Sequence, residues 1–410
     1  MGTKCHTSNL DLYLTSVILY EVGSIIRIQL ASQYVGNAVR IVGVFLLFYT
    51  IIFQLLSKGV PKLNVWASIL LSLNTFYILF SCVTSGLDLT RFFGEGTYML
   101  NYMLPYILLF NPTTINLRRV FRFCLVFCCV SVIMLTLNAG ALSHIGNAEY
   151  VQSVLEKNPR LNFLAQLPVM WSIPASLIYM SPFYFSRRDI SISILVAIIS
   201  MGFALYFGRR SVSIYGALLL ASAYIMYLRS DASNFKQKYF SVFCFIVIMP
   251  ILFIGATEMF SYAWHRGLTD SRTGVEVAFY ADMSTLDLLF GRGLNGTYYD
   301  SSFVFMDAAV RPGIETGYLN IILHAGGIYL VFYLMMIATI VYNAIKKTRN
   351  TLIRAFAVYI ALNTIYLVFG SYPDFNLRFF CFWIGIIMCS NPRLVQLSDR
   401  EIYACYFLRK

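Results

Sequence analysis

The chain has 410 residues, of which 59% are hydrophobic and only 12% charged, with a mean hydropathy of +0.69. Soluble domains carry roughly a quarter charged residues, and folding could not hide this much apolar surface from water. A soluble enzyme, a secreted disulfide module and a disordered chain are therefore excluded. The net charge of +12 matches the Lys and Arg excess that membrane proteins collect in cytoplasmic loops, so nucleic acid is not an expected partner. The expected class is an all-α polytopic integral membrane protein.

A membrane-crossing helix needs about 20 apolar residues. On that ruler the sequence predicts twelve spans, near 12–33, 40–56, 65–85, 97–110, 120–139, 162–180, 190–207, 212–228, 239–258, 317–343, 353–370 and 375–391. These runs are apolar on every face, which excludes the alternating pattern of a membrane β-barrel. Residues 1–258 read as one membrane domain, 259–315 as a large loop, and 316–410 as three further helices with a cytoplasmic tail. Met1–Leu10 lacks the basic segment and short apolar core of a cleaved signal peptide, so the first run is expected to stay as an anchor. The nine cysteines offer neither zinc spacing nor a disulfide framework.

Basic residues crowd one set of alternate loops, at Lys58 and Lys62, Arg118 and Arg119, Arg187 and Arg188, and Lys346 and Lys347. The expected orientation therefore places both termini in the cytoplasm. Two features break the pattern on the other side. Gly208-Arg209-Arg210-Ser211 turns between two apolar runs with two cations outside, and 259–315 is 57 residues of polar loop. Loops of that length between spans are uncommon unless they carry a function.

Within the loop, Thr273-Gly-Val-Glu276 reads as a capping box. Val275, Phe279, Met283, Leu286 and Phe290 follow at helical spacing, predicting one amphipathic helix over about 273–290 that lies on the membrane or across other helices. Gly291 supplies its stop, and Gly291-Arg292-Gly293-Leu294-Asn295-Gly296 is a close-approach turn containing an Arg. Among the spans, Glu21, Arg27 and His324 are polar groups costly in lipid. Asp374 and Arg378 stand four apart, in the favourable order for a pair.

The order of these pieces resembles the O-antigen polymerase and O-antigen ligase superfamily of bacterial inner membranes. Its members show a similar number of spans, an Arg at an external helix turn, and a large external loop holding an Arg, a hydrophobic helix and a Gly-x-Gly turn. The matching pieces here are Arg209 or Arg210, Arg272, the helix to Phe290, and Gly291-Arg292-Gly293. The ligase pattern continues as His-Asn-x-x-Leu with a Gly seven residues after the Leu. This chain reads Glu315-Thr316-Gly317-Tyr318-Leu319, with Gly326 seven after Leu319. Glu315 replaces the ligase His, which favours the polymerase.

The resemblance implies transfer of a glycan chain from undecaprenyl diphosphate to a sugar hydroxyl of another lipid-linked unit, at the periplasmic face, with no metal and no cofactor. It casts Arg210 and Arg272 as catalytic and Arg209 as binding the diphosphate, because guanidinium forks grip phosphate oxygens. Arg292 and Arg311 are further binding candidates. Glu315 becomes the base for the accepting hydroxyl, Tyr318 an orienting group, and His324 a substrate-side group or else a satisfied polar residue of the bundle. Trp264, Tyr280, Tyr298 and Tyr299 either offer flat faces to sugars or belong to the interfacial aromatic belt. Implied partners are the lipid-linked oligosaccharide, membrane lipids and a chain-length regulator. A lipid-linked oligosaccharide flippase is the alternative from another class, although it has no need of such a loop. An O-antigen ligase is the alternative within the family.

Overall fold

In the computed structural model the described residues are 9–29, 32–58, 65–85, 98–111, 115–137, 158–207, 210–229, 273–301, 309–370 and 374–407. They fall into two units, Met1–Val120 with Ser271–Lys410, and Phe121–Asp270. Among them, six helices are long and apolar enough to cross a membrane: Gln33–Ser57, Val65–Val83, Leu117–Leu137, Arg160–Met180, Ser211–Leu228 and Gly317–Lys347. The chain is an all-α protein of membrane-crossing helices. The predicted span at 239–258 lies outside the described residues.

In the first unit, α1 (Asn9–Gln29) and α2 (Gln33–Lys58) form a tight antiparallel hairpin. Small residues let the two backbones approach: a Cβ on Gly36 would meet the Arg27 backbone at 2.6 Å, and one on Gly43 the Ser16 carbonyl at 2.9 Å. Because α2 starts well before residue 40, Arg40 is not a loop cation as the span boundaries imply. It is a buried helical residue whose guanidinium lies 4.6 Å over the Tyr20 ring. Helix α3 (Val65–Ser85) agrees with its predicted bounds.

The predicted span at 97–110 is not a helix that crosses anything. It is one helical turn (Tyr98–Asn101) and a 3-10 segment (Leu104–Leu109) carrying Pro105, and it is buried inside the unit. Irregular backbone survives at membrane depth only where protein satisfies its polar groups. Here the Tyr13 hydroxyl donates to the Met103 carbonyl at 2.8 Å and Gln54 Nε2 to the Leu109 carbonyl at 3.0 Å. Asn74 Nδ2 donates to the Tyr102 carbonyl, while Asn74 Oδ1 accepts from the Tyr329 hydroxyl at 2.9 Å.

The second unit contains α4 (Leu117–Leu137, whose first turn belongs to the first unit), α5 (Pro159–Met180), α6 (Arg187–Tyr206) and α7 (Arg210–Arg229), with α5, α6 and α7 packed mutually. Pro168 and Pro174 lie inside α5, as membrane helices allow where neighbours reclaim freed backbone groups. Cys128 of α4 gives its thiol to the Pro168 carbonyl at 3.5 Å.

The chain then returns to the first unit through α8 (Thr273–Asp282), α9 (Thr285–Phe290) and a two-stranded antiparallel hairpin, β1 (Tyr298–Tyr299) with β2 (Val310–Arg311). Next come α10 (Gly317–Lys347), α11 (Thr351–Tyr366) and α12 (Leu377–Ser390). The tail is helical too, as α13 (Pro392–Gln396) and α14 (Asp399–Tyr406), and Asp399 accepts the Thr351 amide at 2.7 Å. Intramembrane charges are used for assembly. Glu21 Oε1 accepts the Leu377 amide at 2.9 Å, meeting an orphan donor at the start of α12. Arg378 donates to Asn363 Oδ1 at 2.9 Å, stacks 4.8 Å over Tyr366, and attracts Asp374 electrostatically.

Candidate functional site

The described residues of 273–301 and 309–326 share a small core. Phe279 and Met283 of the loop bury against Tyr298, Ile314, Leu319 and Leu323, so the loop is clamped to the first turns of α10. Phe279 and Tyr298 meet edge to face at 5.4 Å.

The helix predicted over 273–290 is two helices, broken at Met283–Ser284. Ser284 takes an extended backbone and its hydroxyl accepts the Asp287 amide, while Asp287 accepts the Ser284 amide, both at 3.1 Å. That capping box opens a new helix. Thr273 is the first residue of α8, and Glu276 in its first turn accepts the Thr316 hydroxyl at 2.7 Å.

Helix α9 ends at Gly291 (φ 75°), and the next amide, Arg292 N–H, donates to the Leu323 carbonyl at 2.7 Å. That carbonyl lies in the turn opened by Gly326 (φ 80°, ψ 166°), where α10 is kinked. Only glycine suits either place: a Cβ on Gly326 would fall 2.2 Å from the Leu289 carbonyl oxygen, and one on Gly291 2.7 Å from the Ala325 amide.

Arg292, a candidate for phosphate, spends its guanidinium on the loop. Nε and Nη2 donate to Asp287 at 3.1 and 3.0 Å, Nη1 to Asp282 and the Thr297 carbonyl at 2.5 and 2.7 Å, and Nη2 to the Asp282 carbonyl at 2.5 Å. These use all five N–H donors of an arginine. Desolvation works against ionisation of Asp287, yet the Ser284 amide and hydroxyl and Arg292 hold its carboxyl below the ordinary range. Asp282 also accepts the Tyr299 amide at 3.1 Å, fixing the hairpin.

Arg311 pairs with Asp300, itself 2% exposed, at 2.9 Å. Burial pushes the Tyr298 hydroxyl pKa up, against the pull of neighbouring Arg311; Asp300 and Glu315 lie near enough to raise it further. Glu315 is exposed at the start of α10. Thr316 caps α10 without a side-chain bond to it; the chain just past the end of α11 meets the orphan donors, as the Gly317 and Tyr318 amides donate to the Gly370 and Leu367 carbonyls at 2.8 and 3.2 Å. Gly317 thus admits a close backbone of the protein itself. Tyr318 interacts with the Tyr280 hydroxyl and sits beside Glu276.

His324 is fully buried, with Nδ1 3.2 Å from the Gly293 carbonyl and the Pro312 backbone also engaging its ring. It locks the Gly-rich turn to α10. Arg209, Arg272 and Trp264 lie outside the described residues. Arg210 opens α7 in the other unit, and its side chain is outside the description.

The structure therefore gathers Glu315, Tyr318, Tyr298 and Arg311 at the mouth of α10 and adds Glu276, Tyr280 and Asp300. Glu276 went unnoticed as a site residue because its sequence context explains it as a cap. Two carboxylates among tyrosine hydroxyls can accept a proton from, and orient, a polyhydroxyl ligand. The fold and site define an all-α membrane protein with a folded loop that presents carboxylates and aromatics at the end of a long apolar helix. No protein-family model, curated protein or solved structure matches the chain.

Proposed function

We propose that the protein is a polysaccharide polymerase of the O-antigen type, a metal-independent glycosyltransferase at the periplasmic face of a bacterial inner membrane. The observation that carries this reading is the cluster of Glu276, Glu315, Tyr280, Tyr298 and Tyr318 on a loop clamped to the mouth of α10. A site of this kind suits a substrate whose lipid tail lies in the membrane and whose sugars stand above it.

In the reaction, the oxygen of an acceptor hydroxyl attacks the anomeric carbon of the donor glycan. The bond from that carbon to the diphosphate breaks, and undecaprenyl diphosphate leaves with the electron pair. The acceptor proton passes to a carboxylate, Glu315 or Glu276. Arg209, Arg210 and Arg272 are the cations assigned to the leaving diphosphate, where stabilising developing charge is the largest catalytic contribution. Arg292 and Arg311 are assigned to holding the loop, since their guanidinium groups meet Asp282, Asp287 and Asp300.

Deleting the gene and analysing surface glycan tests the reading. A single repeat unit on the lipid core is expected. Loss of all surface glycan would favour a flippase, and free polymer that never reaches the lipid core would favour a ligase.

A further inference from the structure

Helix α10 is longer than a bilayer requires. Its 31 residues rise roughly 46 Å at about 1.5 Å each, against a hydrocarbon core of about 30 Å. The kink at Gly326 divides it, and the arm from Gly326 to Lys347 alone rises roughly 33 Å. That arm ends in Lys346 and Lys347, cations suited to headgroups at one boundary. Gly326 consequently lies at the opposite boundary.

One face of the arm is apolar and exposed. Starting at Gly327, it runs through Val331, Leu334 or Met335, Tyr342 and Ile345 at helical spacing, which is a lipid-facing stripe. Helix α9 sits on the head of that stripe. A Cβ on Gly327 would meet the Leu288 carbonyl at 3.1 Å, just as one on Gly326 would strike Leu289. On α9, Leu286 is 67% exposed, Leu289 43% and Phe290 53%, while Asp287 is tied back to Arg292. The apolar surface thus runs on from the lipid-facing stripe at the level where the membrane ends.

We propose that Leu286, Leu289 and Phe290 are immersed in the headgroup–acyl boundary of the bilayer, making α9 a membrane-surface foot. The foot sets the height of the Gly291–Gly296 turn and of the Asp282–Arg292–Asp287 cluster at the lipid headgroups. Polar backbone and charges face the loop, and the apolar side chains face lipid, as interfacial helices require.

The test adds one tryptophan at a time to the full-length protein, as Leu286→Trp, Phe290→Trp and Leu334→Trp. Each variant is reconstituted in nanodiscs of phosphatidylcholine brominated at shallow or deep acyl positions, and the added emission is read as the difference from the parent. Leu334→Trp is expected to be quenched best by deep bromines. Leu286→Trp and Phe290→Trp should lose a comparable fraction of emission to shallow bromines and resist aqueous iodide. If both α9 positions escape bromine while Leu334→Trp does not, the proposal is overturned; deep-only quenching at α9 overturns it equally. Should Leu286→Trp fail to fold, Phe290→Trp, an aromatic replacing an aromatic, decides alone.

Discussion

Gly291 and Gly326 lie back to back, each at positive φ, so that the end of α9 presses directly on the kink of α10. The Arg292 amide then takes the Leu323 carbonyl at 2.7 Å. The closest approach is backbone on backbone, and it joins the loop to a membrane-crossing helix.

Gly326→Ala should therefore destabilise the protein strongly. Positive φ costs an alanine about 1–3 kcal/mol, and the clash with the Leu289 carbonyl adds to it. Gly274→Ala is the control, since a Cβ there meets nothing within 4 Å, and it should be neutral or slightly stabilising by helix propensity. Thermal unfolding in detergent, read by light scattering and intrinsic fluorescence, compares the two. Equal melting temperatures would contradict the packing described.

Arg292→Lys keeps the charge and loses the fork that reaches Asp282, Asp287 and two carbonyls. A cost of about 1–2 kcal/mol is expected, allowing for partial exposure of the pairs. It should show as faster hydrogen exchange in 283–299 with little change in α10.

Acid should loosen the same turn. Folded Asp287 titrates below its ordinary value of 3.8, so its stabilising contribution is complete above that value. It fades as pH falls through the lower folded value. Proteolysis of the loop in the wild type should rise as pH falls below about 4, and Asp287→Asn should flatten that rise. An unchanged profile in Asp287→Asn would exclude this carboxylate as the cause.

Glu315→Gln and Glu276→Gln separate the two candidate bases. The variant lacking the base should insert, bind lipid-linked substrate and lose polymer formation by about 10²–10⁴-fold. The other should retain most activity. Glu276→Gln keeps an acceptor for the Thr316 hydroxyl, so its fold should persist and a loss of polymer there would be chemical. Full activity in both would remove carboxylate catalysis at this mouth.

Asn74→Ala should be among the costliest single changes outside the site. It leaves the Tyr102 carbonyl and the Tyr329 hydroxyl without their partner in a buried place, at about 1–3 kcal/mol each. Tyr329→Phe removes only the second bond and should cost less in the same melting assay.

Hydropathy recovers helices whose whole length is apolar, such as α3 and α5, nearly to the residue. It fails at 97–110 because a buried irregular stretch and a lipid-facing helix are equally apolar; the difference lies in Tyr13, Gln54 and Asn74, distant in sequence. It misjudges Arg40 because a cation is assumed to end a span, whereas Tyr20 covers this one. At the site, Glu315 is placed by its position before α10. Glu276 and Asp300 are not, because each acquires its meaning from a partner, Thr316 or Arg311, brought close only by the folded loop. The break at Ser284 was readable in principle, as a serine three residues before an aspartate, but the uninterrupted apolar spacing outweighed it.

Biogenesis takes its order from the stretch between Tyr98 and Phe110. A nascent helix can leave the translocon alone, because its own turns satisfy its backbone; this stretch cannot. Its carbonyls at Tyr102, Met103 and Leu109 accept side-chain donors from α3, α1 and α2. Those three helices must already stand together as a cradle before the stretch can quit water. The N-terminal hairpin and α3 are thus a template for later membrane insertion, and a fault in their assembly would leave the ribosome's next segment stranded at the surface.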